Sequence, residues 1–437
     1  LAGAFFVCIA GVATFFLTTM LWHYGVDGPL TNAIDFRAFY CAGAALDAGG
    51  DPYREEPVRS CERASLRVAG FSSSERDVLV APYPPLALAA FGVLARLPYR
   101  TAVEMWLTIS FASLCLAIVL TARLARLRPL IVGLALFASV GFASFFLGQA
   151  VPLAVAGLVV AALTARAGPP WLTALGLVVA SIQPHLALPA WIGAALLVPR
   201  ARPAIAAALA ALVVLSLACF ARLTVEYATV VLPLHSRAEV ANFTDQYGLS
   251  ALLHHYGVGV APALRLGSLS YVVFLAIGIF VAARLVRRFD DRAFATLAPT
   301  AIITIGGPFV HGHQIAAALP FALLLLGNVR TGALRITTVA LGVAIVALAI
   351  PWNTIADQPG VDQFFPHQTY VRPAPFRIPS PDELIDRGYI EREDALAESN
   401  ERTPAVQLAW KLPTWFALLV LLGVSLTVAR APSRRNA

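Results

Sequence analysis

Charge is what this chain of 437 residues has least of. Asp, Glu, Lys and Arg together make up 13% of it against 59% apolar residues, and the mean hydropathy is +0.74. Soluble globular proteins average about 25% charged residues, so the deficit excludes a water-soluble fold and leaves a polytopic membrane protein. Metal-binding motifs are missing as well. Five cysteines and eight histidines form no CxxC, no HExxH and no paired-ligand spacing, so no metal is expected. There is no fixed-period repeat, which excludes a solenoid array, and no low-complexity tract. The first apolar run, 1–22, is followed by no small-residue cleavage site, so it is expected to stay as a helix rather than be removed as a signal peptide. A starting Met is also lacking, which suggests that a few residues are missing upstream.

What is there is a series of apolar segments. A helix needs about 20 residues to cross a ~30 Å hydrocarbon core. On that basis spans are expected near 1–22, 101–122, 129–147, 150–165, 169–182, 186–199, 203–221, 267–286, 294–306, 314–329, 334–350 and 411–429. The expected fold is therefore all-α, with about twelve transmembrane helices in a single domain over 1–437. Several spans are short, and the pairs 169–182/186–199 and 294–306/314–329 are expected to form hairpins.

Sidedness follows from arginine, because short cytoplasmic loops are enriched in basic residues. Arg123, Arg126 and Arg128, Arg166, Arg200 and Arg202, Arg287, Arg288 and Arg292, Arg330 and Arg335, and Arg430, Arg434 and Arg435 all fall on one side, joined by just two acids, Asp290 and Asp291. All eight histidines fall on or next to the other side. Both termini are thus expected in the cytoplasm. The net charge of +7 is accounted for by orientation and anionic lipid, with no nucleic acid required.

Three long segments, 23–100, 222–266 and 351–410, are expected on the outer face, where long loops are usually functional or disordered. The first contains AIDFRAFYCAGAALDAGGDPY (33–53) and APYPPLALAAF (81–91), each with a helix too short or too polar to span and better suited to the interface. Ser380-Pro381-Asp382-Glu383 carries a capping-box pattern, so part of the third is helical. His235, His254 and His255 in the second are read as loop residues. Cys8, Cys115 and Cys219 fall in spans, where buried inert thiols are expected. Cys41 and Cys61 share the first loop and could either close a disulfide or remain free thiols.

Asp35 is the residue that turns this map toward chemistry: a carboxylate at the membrane surface, beside a first span and ahead of a Tyr-Pro-Pro-Leu helix start. A first-loop Asp, then Gly50-Asp51-Pro52-Tyr53, then Tyr83-Pro84-Pro85-Leu86, then Gly148-Gln149 at a span end, then Gln183-Pro184-His185 and GGPFVHGHQ (306–314) occur in that order. This arrangement resembles glycosyltransferase family 87, of the GT-C superfamily, over most of the chain. That family includes polyprenol-phosphate-mannose-dependent α-mannosyltransferases and a related arabinofuranosyltransferase.

The resemblance implies a GT-C fold and an inverting transfer of a sugar, mannose-like by preference, from a polyprenyl-phosphate donor to a lipid or glycan acceptor. The site would face the periplasm of a bacterial inner membrane and use no cofactor. It implies Asp35 as the catalytic base, with Arg37, Tyr83, Gln149, Gln183, His185, His311 and His313 around donor and acceptor. Structural roles stay open beside these: Tyr83 at a helix start, Gln149 satisfying backbone groups at a span end, the histidines bonding carbonyls. Where the family commonly has Lys-Pro, this chain has Gln183-Pro184, and where it often has adjacent histidines, His311 and His313 flank Gly312. A transporter or flippase is the main rival, yet transporters usually place ionisable residues within spans, and here the acids avoid them, apart from Glu104 at the outer end of one. An inactive envelope scaffold of the same fold is the second rival.

Overall fold

The computed structural model describes residues 33–68, 81–243, 245–329, 335–352 and 404–430. The expected first span 1–22 with Cys8, the capping-box stretch 380–383 and most of the segment 351–410 lie outside the described residues.

Proline sets where many helices begin, because its fixed φ suits the first turn and the donor it lacks has no partner there. The chain runs through α1 (Ile34–Asp47), α2 (Glu55–Val68), α3 (Pro85–Ala95), α4 (Tyr99–Ala125), α5 (Pro129–Phe146), α6 (Val151–Ala167), α7 (Pro170–Ala180), α8 (Pro184–Leu197) and α9 (Arg202–Glu226). A π-helical turn, Tyr227–Val231, leads into α10 (Leu232–Ala241), followed by α11 (Leu249–His255), α12 (Val260–Phe289) and α13 (Phe294–Ile303). A 3₁₀ turn, Gly312–Ala318, then opens α14 (Leu319–Val329), before α15 (Arg335–Ala349) and α16 (Pro404–Arg430). Pro sits in the first turn of α3, α6, α7, α8, α9 and α10. Left-handed residues, Arg126 and Asp290 (both φ 54°), close α4 and α12.

Among the described residues, five stretches are long and apolar enough to cross a membrane: Tyr99–Ala125, Pro199–Ala241, Val260–Phe289, Gly312–Val329 and Leu408–Arg430. The helices α5 to α8, α13 and α15 are apolar but shorter. Among the described residues there is no strand, just an isolated bridge between Gln246 and His311. The protein is an all-α polytopic membrane protein. Its core is built from small and aliphatic side chains, Val155, Leu158 and Ala162 of α6, Ala295 and Ala298 of α13, and Leu323 and Leu324 of α14. By contrast α9 turns Val213, Val214 and Leu217 outward, apolar groups that hydrocarbon rather than protein would cover.

One end of the bundle is basic. Arg166 of α6 donates to Asp291 (Nε–Oδ1 2.8 Å) and to the Leu124 carbonyl, while Arg200 donates to the Thr164 and Ala165 carbonyls. These guanidinium groups add donors to carbonyls in the last turns of helices, where intrahelical partners run out. At the other end, α1, α2 and α3 sit on α4. A Cβ on Gly43 would lie 2.5 Å from the Gly92 nitrogen, so α1 and α3 cross backbone to backbone. A disulfide between Cys41 and Cys61 ties α1 to α2, deciding the alternative left open by the sequence.

Two expectations are overturned. The segment 222–266, read as a loop, is largely helical: α9 continues through the π turn into α10, and α12 starts at Val260. His235 is accordingly a helical residue, 5% exposed, not a loop residue, and His254 and His255 end α11. Polar side chains hid the helix because they face a cavity rather than water. Cys115 and Cys219 are exposed on helix surfaces, not buried; an apolar thiol fits a surface that lipid covers as well as it fits a core.

Candidate active site

Asp35 occupies the first turn of α1, where an acid favours the unpaired N–H groups of a helix start. The backbone N–H groups of Asp35 and Phe36 both donate to the Leu147 carbonyl, at 2.9 and 3.3 Å. That junction brings the 147–149 turn against α1. Gly148 makes it possible: its φ is +75°, and a Cβ there would lie 2.6 Å from the Phe36 Cβ. Its carbonyl accepts from the Trp106 indole at 2.7 Å, and Trp106 stacks on Phe36 with centroids 5.7 Å apart. The consequence is a placed amide: Gln149 Nε2 donates to Asp35 Oδ2 at 2.6 Å.

Next to this pair lies Tyr83. The Gly50–Tyr53 turn supports it, since Tyr53 donates its hydroxyl to the Tyr83 carbonyl at 2.8 Å. Phe39, one turn after Asp35, meets the Tyr83 ring edge to face at 4.7 Å. Burial first, and then the Asp35 charge, push the Tyr83 phenol well above its usual range, so it stays protonated. Gln183 donates to its hydroxyl at 2.9 Å, and Gln314 donates to Gln183 Oε1 at 3.3 Å.

This amide row leads to the histidines. The Gln314 side chain accepts from the His311 backbone N–H at 2.9 Å and completes a capping box at the 3₁₀ turn. The rings of His311 and His313 stack 5.2 Å apart. Behind them Glu239 of α10, fully buried, lies 3.1 Å from His311 Nε2 and accepts from Gln246 at 2.8 Å and from Asn242 at 3.2 Å. Gln246 in turn accepts from the Val310 N–H, and Tyr247 donates to the Val310 carbonyl. His185 stands at the start of α8, its carbonyl held by the Tyr271 hydroxyl at 2.7 Å. Its Nε2 is buried without a hydrogen-bond partner.

A single cavity of about 890 Å³ joins these groups, within the range of small-molecule sites. It is lined by Asp35, Tyr83, Gln149, Gln183, His185, His311 and His313 together. Arg37 is not among them. It is buried on another side of α1, near Tyr99 and Glu62, because two residues along a helix is roughly a 200° turn away from Asp35. Its expected contact with substrate is therefore replaced by a place inside the first-loop packing. Among the described residues, no cluster of three or more His, Cys, Asp or Glu is arranged to hold a metal.

The sequence model of glycosyltransferase family 87 matches residues 82–305, just over half of the 437. The chain belongs to glycosyltransferase family 87. No curated protein and no solved structure matches it. The protein is a membrane glycosyltransferase. The matched stretch holds Tyr83, Gln149, Gln183 and His185, and the packing described above joins Asp35 and the His311–His313 pair to it from outside. The same cavity is also lined by residues that sequence reasoning passed over, among them Trp191 of α8, Tyr227 in the π turn, His235 and Arg237 of α10, and Tyr271 of α12. One signal for α10 was present, since His235 and Glu239 stand four residues apart, on one helix face.

Proposed function

We propose that this glycosyltransferase moves a sugar, a mannose-like hexose by preference, from a polyprenyl-phosphate donor to a hydroxyl of a lipid or glycan acceptor, with inversion. Asp35 takes the proton of the acceptor hydroxyl as its oxygen bonds to the anomeric carbon. The bond from that carbon to the phosphate oxygen breaks, and its electron pair leaves with the prenyl phosphate. The leaving phosphate gains a negative charge in this step, so the opposite side of the cavity needs donors and cations. Tyr83, Gln149, Gln183, His185, His311 and His313 supply hydrogen bonds to sugar and phosphate.

One observation carries the lipid-linked donor. The cavity holding Asp35 is also lined by Leu188 of α8 and Val272 of α12, which are 48% and 59% exposed on the apolar outside of the bundle. A pocket whose wall is shared with a lipid-facing surface suits a substrate with its head in the cavity and its tail in hydrocarbon. We further infer that both termini lie in the cytoplasm and that the cavity opens to the periplasm of a bacterial inner membrane. The basic residues at the bundle end remote from Asp35 support that orientation.

The test is a transfer assay on purified protein, with a panel of polyprenyl-phosphate sugars as donors and extracted envelope lipids as acceptors. Transfer of one sugar is expected, with opposite anomeric configuration in product and donor. Transfer from a nucleotide sugar instead, or retention of configuration, would overturn the reading.

A further inference from the structure

The reaction needs a fixed positive charge for the phosphate, and the cation the chain supplies is not obvious from its sequence. The single lysine, Lys411, is 1% exposed and lies against the rings of Phe243 and Tyr247, 5.0 and 4.4 Å from their centroids. It is outside the cavity lining. Arg37 is buried elsewhere, and Arg54 and Arg222 are engaged with Asp51 and Glu226 outside the cavity. An imidazole, unlike a guanidinium, is not a fixed charge, and His311 already faces the Glu239 carboxylate. Among the described residues, one arginine lines the cavity, Arg237.

We propose that Arg237 of α10 binds the phosphate of a prenyl-linked phosphate donor, an assignment that rests on the donor class inferred above. The helix geometry favours it. On α10 the residues Leu232, Pro233 and Ser236 face the cavity, with His235 and Arg237 at the two edges of that face. The π turn Tyr227–Val231 directly before α10 sets this rotation, a feature frequent at functional sites. Helix α10 packs on α12, whose Leu264 and Val272 line the cavity beside it. Arg237 therefore stands where the apolar wall meets the polar interior, half-buried, as a phosphate on a prenyl tail requires. A guanidinium offers two parallel N–H donors to a phosphate and remains charged at any working pH.

Binding of three probes to purified protein in nanodiscs tests the assignment: a prenyl phosphate without sugar, the corresponding prenol and inorganic phosphate. Wild type is expected to bind the prenyl phosphate about ten- to hundredfold more tightly than the prenol, the scale of a charge-assisted contact. Arg237→Gln should erase that difference and leave prenol binding unchanged, while Arg237→Lys should retain much of it. The Lys variant also serves if the Gln variant fails to fold, since a bidentate site should still lose several-fold affinity for the phosphate but not for the prenol. Wild-type affinity for the prenyl phosphate in both variants would overturn the role of Arg237 and leave the donor class standing. A wild type that does not distinguish prenyl phosphate from prenol would overturn the donor class itself. Inorganic phosphate competing as strongly as the prenyl phosphate would show a general anion site and overturn the lipid-linked assignment.

Discussion

At the scale of single residues, the site is a problem of aiming one carboxylate. Asp35 accepts from Gln149 at 2.6 Å because Gly148 allows the turn before Gln149 to touch Phe36. Asp35→Asn keeps the volume but removes the proton acceptor. Sugar transfer should fall by roughly 10²–10⁴-fold, with expression and melting temperature unchanged; turnover within a few-fold of wild type would exclude the base. Gly148→Ala attacks the same geometry from behind. A left-handed φ and a clash with the Phe36 Cβ together should cost about 1–3 kcal/mol, read as a lower melting temperature in detergent, and should slow transfer by displacing Gln149. Glu239 is the buried counterpart. Glu239→Ala leaves Asn242, Gln246 and His311 without their shared acceptor, and each buried donor left unsatisfied costs roughly 1–3 kcal/mol. Thermal unfolding should show this loss to be much smaller for Glu239→Gln, which keeps an acceptor oxygen.

At the scale of elements, α1 carries Asp35 and is held from three directions: the Leu147 carbonyl at its start, the Gly43–Gly92 crossing with α3, and the disulfide to α2. The disulfide closes a loop with a sequence separation of 20, worth about 3 kcal/mol when loop entropy is the source. Replacing Cys41 and Cys61 together by Ser should lower the melting temperature and slow transfer, and reductant should reproduce the effect in wild type. Insensitivity of both quantities to reductant would mean that the Leu147 carbonyl and the α1–α3 contact suffice to hold Asp35. Helix α10 shows the opposite relation between sequence and element. Its His, Arg and Glu read as a loop, yet they are polar because they serve a cavity and a buried network, and hydrophobic patterning cannot separate those cases.

For the whole molecule, the polar groups divide between two ends. Arginines bond last-turn carbonyls at one, while amides, histidines and Asp35 share a cavity at the other. Reporters fused after Arg128, after Arg202 or at the C-terminus are expected to read cytoplasmic, and one near Ser380 periplasmic. The reverse pattern would put Asp35 on the side of nucleotide sugars and remove the lipid-donor reading.

The sequence by itself determined the class of protein, the places where most helices lie and which end carries positive charge, because these depend on hydrophobic length, proline positions and arginine counts that are local properties of the chain. It also pointed to Asp35, Tyr83, Gln149, Gln183, His185, His311 and His313, through short motifs in a fixed order. Tertiary structure decided what those motifs touch. The rotation of α1 separates Asp35 from Arg37, the π turn before α10 sets His235 and Arg237 at the cavity edge, and Glu239 meets His311 across 72 positions of sequence. The first of these follows from local helix spacing once α1 is known to be helical, whereas the other two depend on the phase set by the π turn and on which helices pack together, which no local pattern carries.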